Sequence, residues 1–194
     1  IEPVGISVHA TRKGGYRPGC SVLVFGAGAI GLATAITLRA CGAYNLVIAE
    51  PNHKRAALAR ELGFDVLDPG MDTLAQIHEC TNGDGFEFVY DCAGVQPVID
   101  MLPDAVKING TIVIVAGYKN PPTMDFQKGM FREFSINFVR NCTSNDFVMA
   151  IDLISRDLGY EKLLNCILSP DDAEKGFKPN PEAYKVIYDF GGSL

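Results

Sequence analysis

Short apolar runs of strand length alternate with longer helix-forming stretches over the first two-thirds of the chain. The run Ser21-Val22-Leu23-Val24-Phe25 is β-branched and apolar, lies between Pro18-Gly19 and a glycine cluster, and predicts a buried strand. Residues 29–40 carry good helix formers and stop before Gly42, which predicts a helix ended by glycine. Leu46-Val47-Ile48-Ala49 predicts a second strand. Asn52 is placed to cap a helix that bears Ala56, Leu58, Ala59 and Leu62 and closes at Gly63. The same alternation predicts strands at 65–67, 86–91, 111–116 and 134–139, and helices at 71–80, 96–107 and 145–155.

Strand runs that are apolar on both faces and joined by helices are the mark of parallel strands covered on two sides. Right-handed crossovers then give an α/β fold, a doubly wound, parallel, six-stranded Rossmann sheet, expected over residues 18–158. From about residue 163 the chain is rich in Pro and Asp and has one apolar run, at 185–188. It reads as an appendage rather than a further repeat of the same unit.

Composition narrows the classes of function. A chain of 194 residues, 47% apolar and 21% charged, suits one soluble, well-packed domain with a small addition. Its net charge is −6 and its longest basic cluster is His53-Lys54-Arg55, which excludes an electrostatic footprint for nucleic acid or an anionic membrane. No run approaches the ~18 apolar residues of a membrane span. The chain opens on Ile1 rather than Met and without a secretory pattern, so it reads as processed or partial. The cysteines at 20, 41, 80, 92, 142 and 166 form no Cys-x-x-Cys, and Cys20 and Cys92 lie in apolar runs as buried thiols do. A reduced, cytoplasmic protein is the expectation.

Candidate chemistry begins at Gly26-Ala27-Gly28-Ala29-Ile30-Gly31, directly after the first strand and opening the first of the alternating helices. In a dinucleotide-binding turn, the first glycine permits the bend and the second lets backbone approach a pyrophosphate. The third lets helix and strand pack closely. Glu50 ends the next strand, 19 residues past Gly31, where an acid would accept hydrogen bonds from a ribose diol. Its charge favours NAD over NADP. Lys54 and Arg55 could serve a phosphate instead, and FAD stays open on these residues.

Hydride transfer to a carbonyl also needs an acid or a metal. No tyrosine is followed four residues later by lysine, and no His-Glu-x-x-His or Gly-x-Ser-x-Gly occurs. Of the histidines, His53 and His78 read as solvated helix residues and His9 as a packing residue.

The stretch Glu2-Pro3-Val4-Gly5-Ile6-Ser7-Val8-His9-Ala10-Thr11-Arg12-Lys13-Gly14-Gly15 resembles the segment leading into the cofactor domain of sorbitol and 2,3-butanediol dehydrogenases, members of the zinc-dependent medium-chain dehydrogenases. The likeness continues through the glycine loop, Glu61-Leu62-Gly63, Asp91-Cys92-Ala93-Gly94, Asn109-Gly110-Thr111 and residues 172–177. It implies an NAD-linked enzyme that oxidises a secondary alcohol or polyol at a catalytic zinc, as a homodimer or homotetramer. It further implies that residues 1–17 form an inter-domain helix and that 159–194 return to a catalytic domain. That domain supplies most zinc ligands from a Cys and a Gly-His-Glu segment that these residues do not include. The family's zinc-shell glutamate falls on Glu2.

The cofactor contacts implied by the resemblance fall on Gly26, Gly28, Ala29, Ile30 and Gly31 at the pyrophosphate, Glu50 at the ribose and Arg55 beside the adenine. Cys92, Ala93 and Gly94 belong with them. Val115, Ala116 and Gly117 match the nicotinamide side, and Val139, Arg140 and Asn141 the segment closing over it. Sorbitol-type enzymes have Arg-Tyr where this chain has Arg140-Asn141, which counts against sorbitol as substrate. Two other readings stay open: an NAD(H)-sensing module without catalysis, and a zinc-free quinone or enoyl reductase relative, against which Glu2-Pro3 counts.

Overall fold

A strand whose neighbours lie above, below and on both sides has no polar face. β1 (Val22–Phe25) and β2 (Leu46–Ala49) are accordingly buried at every residue. In the computed structural model, which describes residues 1–178, 180 and 183–191, these two join β3 (Asp65–Val66), β4 (Phe86–Asp91), β5 (Val106–Ile114) and β6 (Ser135–Phe138). All six run parallel in the order β3-β2-β1-β4-β5-β6. The sheet is the doubly wound one that the pattern predicts.

Helices cover both faces because successive strand side chains point to opposite sides. Val22, Val24, Ile48 and Tyr90 pack with α1 (Glu2–Lys13), α2 (Ala29–Ala40), α3 (His53–Glu61) and α7 (Ser144–Ile154). Leu23, Phe25, Val89 and Ile112 pack instead with Ile77 of α4 (Thr73–Cys80) and Ile99 and Leu102 of α5 (Gln96–Ala105). No helix among the described residues is long and apolar enough to cross a membrane.

Differences from the predicted elements cluster around β5. It begins at Val106, not at 111, so the α5 helix stops at Ala105. Val106 pairs with Phe86, the register shifts, and pairing resumes at Phe88 with Thr111. Asn109 takes a positive φ of 58° within that shift. Asn109-Gly110 thus carries the ladder through a bulge where the local sequence suggests a turn. The short helix α6 (Phe126–Arg132) has no predicted counterpart: none of its residues is buried, and Phe126, Met130 and Phe131 face outward. It is tied down by polar contacts, Arg132 Nη2 donating to the Val106 carbonyl at 2.6 Å and Lys128 to Asp104 at 2.6 Å.

Beyond α7 the chain leaves the sheet. A 3-10 turn at Tyr160–Leu163 docks on α2, where the Tyr160 and Thr37 hydroxyls meet at 2.9 Å. A separate pair of parallel strands follows, β7 (Cys166–Leu168) and β8 (Val186–Tyr188), with the single-turn α8 (Ala173–Gly176) between them. Of the expected tail, 179, 181, 182 and 192–194 lie outside the described residues.

The helix α1 is fastened to α7 by one buried carboxylate. Asp146 is 1% exposed and meets His9 Nδ1 at 2.8 Å and Arg12 Nη1 at 2.6 Å. It also accepts from the Thr143 amide and hydroxyl, in the capping box that starts α7. His9 therefore plays its packing role at a polar junction between the two helices. Burial alone would raise the Asp146 carboxyl. The bonds from Thr143, Arg12 and His9 outweigh it and hold the carboxyl down at about 2, against an ordinary 3.8.

Because the folded carboxyl titrates below its unfolded value, folding favours its ionised form. The stabilisation is full above about pH 4–5 and is lost as pH falls through about 2, a contribution of roughly 2–2.5 kcal/mol. Asp146→Asn is expected to lower unfolding free energy at neutral pH by about 1–3 kcal/mol and to flatten the acid limb between those pH values. Urea unfolding of both proteins at neutral and acid pH measures this. An unchanged acid limb in the variant would show that Asp146 does not carry it.

Candidate dinucleotide cleft

In an open parallel sheet a crevice forms where the strand order reverses, at the carboxyl ends of the strands. Here the reversal lies between β1 and β4. The chain leaves β1 at Gly26, whose amide donates to the Ala49 carbonyl at 2.8 Å and whose φ is +94°. Gly28 precedes α2 as its N-cap with no side-chain cap, and no acid occupies the first turn. The amides of Ala29, Ile30 and Gly31 are thus at the helix start, where the dipole favours an anion. At Gly31 a Cβ would lie 1.9 Å from the Gly26 carbonyl oxygen, so only glycine lets α2 come this close to the strand.

Glu50 follows β2 and is 7% exposed. Its carboxylate accepts from the Ala27 amide at 2.7 Å and the Asn52 amide at 2.8 Å, joining the glycine loop to the β2–α3 connection. Two loop amides thus depend on this side chain, which makes it part of the fold as well as of the cleft. A carboxylate has about four acceptor positions, so further donors can still be taken. Asn52 in turn caps α3 through the amides of Lys54 and Arg55.

Arg55 bridges from α3 towards the glycine loop: a Cβ on Gly28 would lie 4.0 Å from its Nη1. Its Nε is buried without a hydrogen-bond partner. Gly26, Gly28, Glu50, Arg55, Cys92 and Ala93 line one cleft of about 490 Å3.

The β4 and β5 ends complete the rim. Asp91, fully buried, accepts from the Ala93 amide at 2.9 Å and the Gly94 amide at 3.0 Å through Oδ1. Its backbone carbonyl takes the Val115 and Ala116 amides, each at 3.0 Å, and its Oδ2 takes the Tyr118 hydroxyl. Gly117 is open, a Cβ there meeting nothing within 4 Å. Val139 continues the sheet edge, its amide on the Ile114 carbonyl at 2.9 Å, with Arg140 and Asn141 exposed beyond it. Of the predicted positions, Gly26, Gly28, Glu50, Arg55, Cys92 and Ala93 share the cleft, while 115–117 and 139–141 follow the carboxyl ends of β5 and β6 outside its lining. Asp91, Asn52 and Tyr118 were not among the predicted positions; an acid ending an apolar strand was the signal available for Asp91.

Cys92 stands beside the glycine loop, but burial, and then the neighbouring Asp91, pushes its thiol up to about 12. It is protonated at neutral pH and so is not a ready nucleophile. Glu2 is exposed at the start of α1, 3.9 Å from Lys185 Nζ. Among the described residues no group of three or more His, Cys, Asp or Glu could hold a metal ion. These residues by themselves do not fit a zinc.

A family model described as "Zinc-binding dehydrogenase" matches residues 29–156. Among curated relatives, (R,R)-butanediol dehydrogenase of Saccharomyces cerevisiae is 34% identical over 131 residues, 66% of this chain and 34% of that protein. The enzyme of the same name from Neisseria gonorrhoeae is 33% identical over 158 residues, 79% of this chain and 44% of that protein. The solved 2R,3R-butanediol dehydrogenase of Bacillus subtilis superposes with a TM-score of 0.86 at 25% identity, covering 95% of this chain and 55% of that one. The chain therefore spans about a third to a half of the length of these relatives. With the sheet order, the glycine loop and the matched residues in agreement, the chain belongs to the zinc-binding dehydrogenase family.

Proposed function

We propose that the cleft binds NAD(H) and that the chain is the cofactor-binding part of a zinc-dependent secondary-alcohol or diol dehydrogenase. The observation that carries the reading is Glu50, an ionisable side chain held at the mouth of the glycine loop by two backbone amides. Its remaining acceptor positions suit the two hydroxyls of a ribose, and its charge opposes a 2′-phosphate. Arg55, with its buried and unpartnered Nε, supplies a flat cation beside the adenine position. The uncapped start of α2 receives the pyrophosphate, and Val115, Ala116 and Gly117 present backbone to the nicotinamide, with Val139, Arg140 and Asn141 at its outer side. When bound, the nicotinamide supplies the hydride acceptor for the alcohol carbon.

Zinc enters this reading through the rest of the enzyme. Glu2 is one carboxylate, and an open catalytic zinc site takes three protein ligands. We read residues 159–194 as the part that packs with the remaining domain, whose presence would complete the substrate site. Oxidation of a diol, as in the butanediol dehydrogenases it resembles, fits better than oxidation of sorbitol, given Arg140-Asn141. The alternative of an NAD(H) sensor shares the cleft and differs in having no turnover in any form. The six free cysteines suit a reducing cytoplasm.

Two outcomes are expected. NADH should bind this chain measurably, and Glu50→Gln should raise its Kd by about tenfold while leaving NADPH binding equal or tighter, the worth of one charged hydrogen bond being about 1.5 kcal/mol. Glu50→Ala should also cost about 1–3 kcal/mol of stability, since the Ala27 and Asn52 amides lose their acceptor. Calorimetric titration of each cofactor into each protein gives the ratio; a ratio that stays fixed while both affinities are measurable removes Glu50 from the ribose.

The second outcome is catalytic silence. The 194-residue chain should oxidise neither butanediol nor sorbitol, with or without added zinc. Spectrophotometric NADH production above a protein-free blank would sink this.

A further inference from the structure

Resting on the reading of the cleft as an NAD(H) site, we propose that Tyr118 and Asp91 form a clasp that positions the nicotinamide half of the cofactor and not the adenosine half. Neither residue is needed to touch the cofactor; they are positioning residues acting through the backbone.

The geometry separates the two halves of the cleft. Glu50 and Arg55 belong to the β1–β2 side, whereas Asp91 ends β4 and Tyr118 follows β5, on the opposite side of the point where the strand order reverses. A dinucleotide laid across that point has one mononucleotide on each side.

Asp91 joins the segments that follow β4 and β5. Its Oδ1 bends the Ala93-Gly94 turn towards itself, and its carbonyl holds the Val115 and Ala116 amides. Its Oδ2 is met by the Tyr118 hydroxyl, 27 residues away in sequence. The two segments also touch each other: a Cβ on Gly94 would lie 2.7 Å from the Gly117 carbonyl oxygen and 3.0 Å from the Ala116 Cβ. Movement of either one displaces the other.

Tyr118 adds a side-chain tie to the loop that leaves β5. The ladder to β6 ends at Ile114 with Phe138, and the next main-chain bonds of the loop are those to Asp91. The phenol then closes the loop back over the same carboxylate. Burial, and then the bond to Asp91 and its charge, raise the ionisation of Tyr118, so the phenol keeps the proton it donates. Without that donor, Asp91 Oδ2 loses its partner in a buried position, and the cheapest remedy is for water to enter and the 115–118 loop to shift.

Tyr118→Phe removes one hydroxyl and no volume that matters to packing. The test titrates this variant and the wild-type chain with NADH and with ADP-ribose, which carries the adenosine and pyrophosphate but no nicotinamide. The expected result is an ADP-ribose Kd within about twofold of wild type and an NADH Kd raised about five- to tenfold, towards that of ADP-ribose. Retained ADP-ribose binding also shows that the variant is folded.

Equal weakening of both ligands would make the clasp a general support and overturn the proposal, as would an unchanged NADH Kd. Wild-type protein that binds neither ligand would instead bring down the reading of the cleft, and the clasp with it. Hydrogen exchange on the wild-type chain needs no variant. NADH should protect the amides of 115–118 beyond the level ADP-ribose gives, and equal protection by the two would overturn the assignment.

Discussion

At Gly31 the helix and the strand approach until a carbonyl oxygen of Gly26 fills the place a Cβ would take, 1.9 Å from it. That contact fixes how deep α2 sits against β1, and so where its first-turn amides point. The phosphate end of the cleft, the reach of Arg55 across Gly28 and the packing of Cys92 against the loop all inherit their positions from it. A side chain at this one position would lever the helix off the sheet, and the cost would fall on backbone rather than on a movable neighbour.

Around this contact the fold uses buried carboxylates as clamps. Glu50 ties the glycine loop to the β2–α3 connection, Asp91 ties the β4 and β5 ends together, and Asp146 ties α1 to α7. In each case the acid is nearly or wholly enclosed and takes donors from two or more chain segments. An enclosed carboxylate without donors would be costly, so the arrangement is all-or-none. The amides it holds cannot wander. This is how loops at a ligand cleft are made stiff without a helix or strand to stiffen them.

What could be read from the sequence was what is local. Asn52 before a helix, Gly42 and Gly63 after one, and uninterrupted apolar runs at 22–25 and 46–49 each carry their meaning within a few residues, and those elements stand where expected. The glycine loop and Glu50 were legible because their spacing is itself the chemistry. The start of β5 was not, because Asn109-Gly110 has the look of a turn and only the pairing of Val106 with Phe86 makes it a bulge. The helix α6 hid because its apolar residues face solvent and leave no stripe to recognise. Tyr118 with Asp91 and His9 with Asp146 are contacts across 27 and 137 residues, which no local pattern encodes.

The last of these separations bears on how the chain reaches its fold. Closing a contact over 137 residues forfeits more chain entropy than any neighbouring pair does, and it is repaid only when α7 exists to present Asp146. Until then α1 has its apolar face on α2 but nothing to hold its polar junction. During synthesis α1 is therefore latched only once the chain has been made past residue 146, and the turn at Tyr160–Leu163 docks on α2 later still.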